Sequence, residues 1–413
     1  MGNESTPDHD HEERRRSGFK RRTRVDDARE RLLAAATPHE RTTALPLASA
    51  DGRALAAPVA APRPVPGYER AAMDGYAVRA SDTFGASDRS PTVLRVEETA
   101  APGTAVRVHT GSDLPDGADA VVMIEHTERV GDEVEVFDAV AEGENVGPVG
   151  EDVADGQHLY DPGHRLRPSD LGLLKSVGID EVEVYDRPSV AVVPTGEELV
   201  QRDPGPGEVV ETNGLTVSHL VERWGGAATY RDVVTDDPEE IRVAIQRDLT
   251  KDVVVTTGGS AVGERDLTPE VVDELGDLLV HGVALKPGHP VALGVVEDTP
   301  VVMLPGYPVA CIVNAVQFLR PLIQRVGHLP ADPPPSREAT LTRKVSSSPG
   351  TRTFVRVRTE AGDDGLEADP TRASGSGVLS SVALADGWVV VPEGLEGYDA
   401  GATVAVEDWE WSA

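Results

Sequence analysis

Hydrophobic positions change period along the chain. Between 67 and 147 they fall in short Val-rich runs, 105–108, 120–124 and 133–137, separated by Gly, Pro and Asp, which predicts a small β domain. From Arg187 a strand at 189–193 is followed by a helix at 215–224 closed by Gly225, a strand at 229–234, a helix at 238–249 and a strand at 252–256. Strands alternating with helices predict a parallel, doubly wound α/β sheet. After the proline-rich stretch 330–335, β-forming clusters at 353–358, 388–391 and 403–406 predict a C-terminal β-barrel or sandwich. Upstream, 25–33 reads as a short amphipathic helix, and Pro58, Pro62, Pro64 and Pro66 keep the next stretch extended.

Composition narrows the picture. The 413 residues exceed one domain, and three or four modules are expected. Lys plus Arg number 39 against 71 Asp plus Glu, a net charge of −32 that repels nucleic acid and anionic membrane. Only five of the cations are lysine, and the acidic excess suits a salt-adapted cytoplasm where counterions screen self-repulsion. The single cysteine, Cys311, excludes an internal disulfide framework and any multi-cysteine metal site. No apolar run approaches the ~20 residues of a membrane span, so a soluble protein is expected. Residues 1–24 run from acidic and His-containing to basic with little to bury, and read as a disordered tail in which His9 and His11 form no prearranged metal site.

Candidate chemistry falls at the carboxyl ends of the α/β strands, where loops open onto a crevice. The strand at 252–256 runs into TTGGSAVGERD (256–266), whose Gly258, Gly259 and Gly263 permit close backbone approach beside the hydroxyls of Thr257 and Ser260. Such a loop can cradle a phosphate or oxyanion. PTGEEL (194–199) brings Glu197 and Glu198, and Asp236, Asp237 and Asp266 add further carboxylates. A hard cation such as Mg²⁺ between them would relieve their repulsion and meet substrate phosphate. Singly, each acid also reads as a surface charge or helix cap. LKPGHP (285–290) holds Lys286 in a proline-stiffened loop, and LPGYP (304–308) opens a helix at Pro308 whose N-terminus is another anion site. Asp74, within AMDGYAV, reads on its own as a turn residue.

In order along the chain, AMDGYAV (72–78), TGSDLP (110–115), ADAVVM (118–123), GEDV (150–153), PTGEEL, ETNG (211–214), the Asp pair 236–237, TTGGSAVGERD, LKPGHP and LPGYP resemble the molybdopterin molybdenumtransferase family, MoeA and the gephyrin E-domain, from Val25 to the C-terminus. The resemblance implies an L-shaped homodimer whose chains divide into a discontinuous linker and dimerisation domain (25–57 and 148–186), a β-rich domain (58–147), an α/β molybdopterin-binding domain (187–328) and a C-terminal β-barrel (336–413). Each cleft would lie between the α/β domain of one subunit and the β-rich domain of the other. It implies hydrolysis of adenylylated molybdopterin and insertion of molybdate, or tungstate, into the dithiolene, with Mg²⁺ or alternatively Zn²⁺. The residues implied in activity are Asp74, Thr110, Glu198, Asp237, Asp266 and Lys286, with Glu198, Asp237 and Asp266 toward the metal. The implied ligand-binding set is Thr195, Gly196, Asn213, Gly258, Gly259, Ser260, Gly263, His289, Pro305, Gly306 and Pro308. Implied partners are a separate molybdopterin adenylyltransferase and recipient apo-molybdoenzymes. Two positions depart from the family pattern: Gly147, Pro148 and Val149 stand where basic residues often precede GEDV, and His289 stands where a second lysine is common. Protonation of His289 would restore part of that charge. A paralogue that binds molybdopterin without turning it over is the alternative these changes suggest, and a scaffold ranks after it.

Overall fold

The computed structural model describes residues 22–258, 267–363, 365–372 and 375–411. Gly259, Ser260, Gly263 and Asp266 therefore lie outside the described residues, as does 1–21 of the N-terminal tail.

The α/β module is built on a six-stranded sheet in the order Ala227–Tyr230, Ser189–Pro194, Val253–Thr257, Thr299–Leu304, Ala292–Val296, Asp277–His281. The first four are parallel, as expected. The last two run antiparallel to their neighbours as a hairpin extension that the sequence reading did not contain. Side chains on a strand alternate faces, so each central strand feeds two cores. Val253 and Val255 pack with Val217, Val221, Ile312 and Phe318, whereas Val254 packs with Ile241, Ile245, Val271 and Val272. Helices on both faces complete the doubly wound layers. The segment from Pro308 to Val326 contains a π turn at Ala315–Leu319 just before Pro321. An irregular turn there fits a proline, which cannot donate to the preceding turn.

The β-rich module forms a separate six-stranded sheet, Ala120–Met123, Gly75–Val78, Thr104–Val108, Thr92–Val96, Glu133–Val136, Thr127–Val130, around Tyr76, Leu94, Val122 and Val134. On either side of it in sequence, Thr42–Pro46 pairs with Glu181–Tyr185, and Leu47, Leu55, Leu166 and Leu174 share one small core. The C-terminal strands close on themselves. Arg352–Gly362 pairs with Gly365–Arg372, then Ser336–Leu341, Thr403–Glu407 and Gly387–Val391 follow, and the last pairs back with the first, giving a five-stranded barrel.

Two N-terminal expectations change. The helix Val25–Ala35 buries Val25, Ala28 and Leu32 against the α/β core rather than in the linker, because its apolar stripe meets Val280, Leu293 and Phe318. Thr23, just before it, is docked and not tail: it donates to the Gly282 carbonyl at 3.0 Å and accepts from Ala284 N–H at 2.8 Å.

Candidate active site at the carboxyl ends of the parallel strands

Three loops meet where the parallel strands end. Thr195 N–H donates to the Thr257 carbonyl at 2.9 Å, Gly196 N–H to Val234 at 3.0 Å, and Gly258 N–H to Leu304 at 3.0 Å. Gly258 has φ +108°, and a Cβ there would lie 2.1 Å from the Thr195 carbonyl oxygen, so only glycine lets these backbones approach. Gly306 packs against Gly258 from the third loop. Asn213 Nδ2 donates to the Gly306 carbonyl at 2.7 Å, tying the helix Asn213–Arg223 to the same junction. Glu211 sets that helix start: Oε1 accepts Gly214 N–H at 2.7 Å and Oε2 accepts a short hydrogen bond from Tyr230. Thus Thr195, Gly196, Asn213, Gly258, Pro305 and Gly306, singled out from sequence, adjoin one another.

Four oxygens here are buried without a hydrogen-bond partner among the described residues: the hydroxyls of Thr195, Thr256 and Thr257, and Oδ1 of Asp236. Leaving a buried polar atom unsatisfied costs roughly 1–3 kcal/mol. Neighbouring side chains on a strand point to opposite faces, so the Thr256 and Thr257 hydroxyls do not share one ligand, but Thr195, Thr257 and Asp236 each lie in or beside the loops that meet at Gly258. Beside them, the Glu198 carboxylate folds over Gly196, with its oxygens 2.8 and 2.9 Å from where a Gly196 Cβ would stand.

Asp237 is placed differently from its expected role. Its Oδ1 accepts the N–H groups of Glu239 at 2.9 Å and Glu240 at 3.2 Å, which makes it the cap of the helix Pro238–Arg247. Its neighbour Asp236, which the sequence placed among the carboxylates at this edge but not in the implied metal set, is the one with an unsatisfied buried oxygen. The signal was available, since a proline at the first helical position marks the preceding residue as the cap. No cluster of three or more metal-ligating side chains forms among the described residues; Asp266, the third expected ligand, lies outside them.

Lys286 is exposed, on a two-residue strand that pairs with Arg352 and Thr353, so the C-terminal barrel holds the lysine loop in place. Asn314 fastens that loop to the helix opened by LPGYP, donating to the Gly288 carbonyl at 2.9 Å and to Ala310 at 2.8 Å. Gly288 has φ +112°, and a Cβ there would sit 2.2 Å from Asn314 Nδ2. Burial, then the nearby Arg22, push the His289 imidazole below its ordinary value, so His289 is neutral near pH 7 and Arg22 carries the positive charge. At the N-terminus of the helix starting at Pro308, the Val309 N–H already donates to Ser376 of the barrel module at 2.9 Å, and Pro308 has none to offer. That helix end is therefore less open to anions than its sequence suggests. Cys311 is fully buried and its thiol is pushed far up by burial.

Asp74 and Thr110 form a pair of their own in the β-rich module. Asp74 Oδ1 accepts the Thr110 N–H at 2.7 Å and its hydroxyl at 2.9 Å, and these bonds hold the exposed carboxyl below its ordinary value. No hydrogen bond or ion pair among the described residues joins them to the α/β loops. Where Gly147 replaces a basic position, Arg70 lies across it, 3.1 Å from the site of a Cβ, and pairs with Glu151 at 3.1 Å.

Family models match three consecutive stretches: the MoeA N-terminal region (domain I and II) over residues 23–178, a domain described as "Probable molybdopterin binding domain" over 191–325, and the MoeA C-terminal region (domain IV) over 338–409. A molybdopterin biosynthesis protein of Methanocaldococcus jannaschii is 37% identical over 86% of this chain and 89% of its own length. The molybdopterin molybdenumtransferase of Bacillus subtilis is 33% identical over 87% and 90%. A crystal structure of a molybdopterin biosynthesis MoeA protein from Pyrococcus horikoshii superposes with a TM-score of 0.80 at 35% identity, covering 94% of this chain and 99% of that one. Matched along its length in sequence, in domain order and in fold, the chain belongs to the MoeA family of molybdenum cofactor biosynthesis proteins.

Proposed function

We propose that this chain is a molybdopterin molybdenumtransferase that cleaves adenylylated molybdopterin with release of AMP and places molybdate, or tungstate, in the dithiolene. The observation that carries the reading is the junction of three loops at Gly258, in or beside which the buried oxygens of Thr195, Thr257 and Asp236 have no hydrogen-bond partner among the described residues. A phosphoanhydride and its cation would satisfy them.

The donor set is all oxygen and suits Mg²⁺, with Zn²⁺ the alternative; Asp236 and Glu198 would hold it, in place of the Asp237 expected from sequence. Bound there, the cation would neutralise charge on the phosphates. Asn213 and Gly258 keep the three loops at their close spacing, which fixes the substrate relative to Lys286. Water adds to a phosphorus of the anhydride, the bridging P–O bond breaks, and AMP leaves. Lys286 attracts the metal oxyanion as a point charge. Two dithiolene thiols then displace one oxo group, whose oxygen departs as water with their protons, so the metal keeps its oxidation state. In a homodimer the Asp74–Thr110 pair, which makes no hydrogen bond or ion pair with the α/β loops of its own chain among the described residues, would face the partner's site. A separate molybdopterin adenylyltransferase would supply the substrate, apo-molybdoenzymes would receive the product, and all would share the cytoplasm.

The test follows AMP release and dithiolene-bound metal after incubation with adenylylated molybdopterin, molybdate and Mg²⁺ in KCl. Asp236→Asn should slow AMP release by roughly 10²-fold, as loss of a charge-stabilising group does, while Asp237→Asn, which keeps a cap-competent oxygen, should leave turnover within about threefold. Tight pterin binding with neither product would overturn the transferase reading and leave a carrier.

A further inference from the structure

An open cavity of about 320 Å³ lies at the other end of the parallel strands, where the linker enters the sheet. Arg53, Arg165 and Arg187 all line it, as do Asp51, Asp186 and Glu222. These charges do not simply cancel. Glu222 is occupied by Arg187 at 2.7 Å and by the Ala228 N–H at 2.9 Å. Asp186 accepts the Thr43 hydroxyl at 2.6 Å and lies 4.0 Å from Arg41. Arg187 also donates to the carbonyls of Glu222, Gly225 and Gly226 through Nη2 and Nε.

Arg53 and Arg165 are left over. Among the described residues Arg53 makes one side-chain hydrogen bond, from Nη2 to the Tyr185 carbonyl at 2.7 Å, and forms no ion pair. Arg165 makes no side-chain hydrogen bond and no ion pair among the described residues. Its guanidinium rests against Gly52, 3.7 Å from where a Cβ would be. Both are half-buried, and burial pushes both guanidinium pKa values down; Asp186 opposes this at Arg53, where Arg187 adds to it, and Asp51 and Asp332 oppose it at Arg165, in each case only in part. Arg231 and Arg352, also enclosed, each hold a carboxylate, whereas Arg320 and Arg356 are buried without one among the described residues, Arg320 over the Trp411 ring and Arg356 against Phe354 and Ser381, and neither lines this cavity. In a chain with 71 acidic residues, two enclosed cations without one, beside the same cavity, mark a place where the anion comes from outside.

We propose that this cavity is a second anion site, separate from the transferase site, which takes the phosphate group of a small metabolite. Arginine forks match a phosphate in pairs, and the volume leaves room for an organic portion beyond it. Because the linker supplies Arg53 and Arg165 while the sheet supplies Arg187, occupancy couples the two modules.

The probes are inorganic phosphate and pyrophosphate, titrated calorimetrically into the full chain carrying Lys286→Gln, which removes the expected oxyanion cation at the other site. Saturable binding is expected, weakened roughly tenfold or more by Arg165→Gln, with AMP release by an otherwise native Arg165→Gln chain unchanged. Phenylglyoxal labelling of the native chain gives a second readout independent of any variant: phosphate should protect Arg53 and Arg165 in peptide maps. Affinity within twofold of the parent in the Arg53→Gln, Arg165→Gln double variant overturns the proposal. So does equal labelling of Arg165 with and without saturating phosphate, which also decides the matter if the variants do not fold.

Discussion

Gly258→Ala tests the idea that backbone proximity builds the site. The added Cβ would stand 2.1 Å from the Thr195 carbonyl oxygen and 3.2 Å from both the Thr195 carbonyl carbon and Oγ1. A comfortable carbon–oxygen contact needs roughly 1 Å more. Thr195 cannot retreat freely, since its N–H is bonded to Thr257 and the next N–H to Val234. Overpacking costs about 1–3 kcal/mol, and a non-glycine residue at φ +108° adds about 1–3 kcal/mol. The expected loss is therefore about 2–6 kcal/mol, borne by the α/β module. Gly131→Ala is the control: φ is +64°, but nothing lies within 4 Å of the added Cβ, so only the backbone term of about 1 kcal/mol applies. Guanidinium unfolding in KCl, with hydrogen exchange over Val253–Thr257 to localise the effect, compares the two. If Gly258→Ala loses no more stability than Gly131→Ala, the close approach at this junction does not exist as described.

Asp74→Asn keeps an oxygen able to accept from Thr110, so it should fold as the native chain does and isolate the effect of charge; AMP release is expected to fall at least about tenfold, and full activity would remove Asp74 from the site. Asn213→Ala loses the 2.7 Å bond to Gly306; it should cost about 1 kcal/mol in stability and raise the KM for the pterin substrate, and an unchanged KM would show that the loops hold without it. Burial alone would raise the Asp170 carboxyl, but hydrogen bonds from Arg167, His164 and Tyr160 outweigh it and hold the group well below its ordinary 3.8. A depressed folded pKa means stability present above pH 3.8 and lost as pH falls toward the folded value. Asp170→Asn should thus cost about 3 kcal/mol at pH 7 and flatten the acid limb of a urea-midpoint profile, because the side chain is only 3% exposed. A native-shaped acid limb in that variant would assign the pH dependence elsewhere.

How far the chain could be read without coordinates depends on the range of the interaction involved. Alternating apolar runs and helix punctuation are local, so the doubly wound module, the β-rich module and the C-terminal β-structure were visible in order. The glycine-rich strand end likewise pointed to Gly258, because glycine is needed where backbones nearly touch, whereas Thr195 and Gly196 were implied only by the family resemblance. Non-local choices were not visible. The antiparallel pair Asp277–His281 and Ala292–Val296 has the same composition as a parallel edge, and only pairing distinguishes them. The helix Val25–Ala35 has an apolar stripe that says it must be covered but not by which core. Adjacent aspartates look alike in sequence, yet helix geometry makes Asp237 a cap and leaves Asp236 with an unsatisfied buried oxygen. Lys286 was conspicuous as one of five lysines, but that the distant barrel strand beginning at Arg352 holds its loop is a pairing across 67 positions, Lys286 with Thr353. The sequence by itself determined which segments fold as strands and helices and which motifs carry chemistry, because propensity and periodicity act over a few residues. Tertiary structure alone decided which aspartate caps a helix, which arginines pair with a carboxylate and which loops meet, because those depend on packing between segments far apart in the chain.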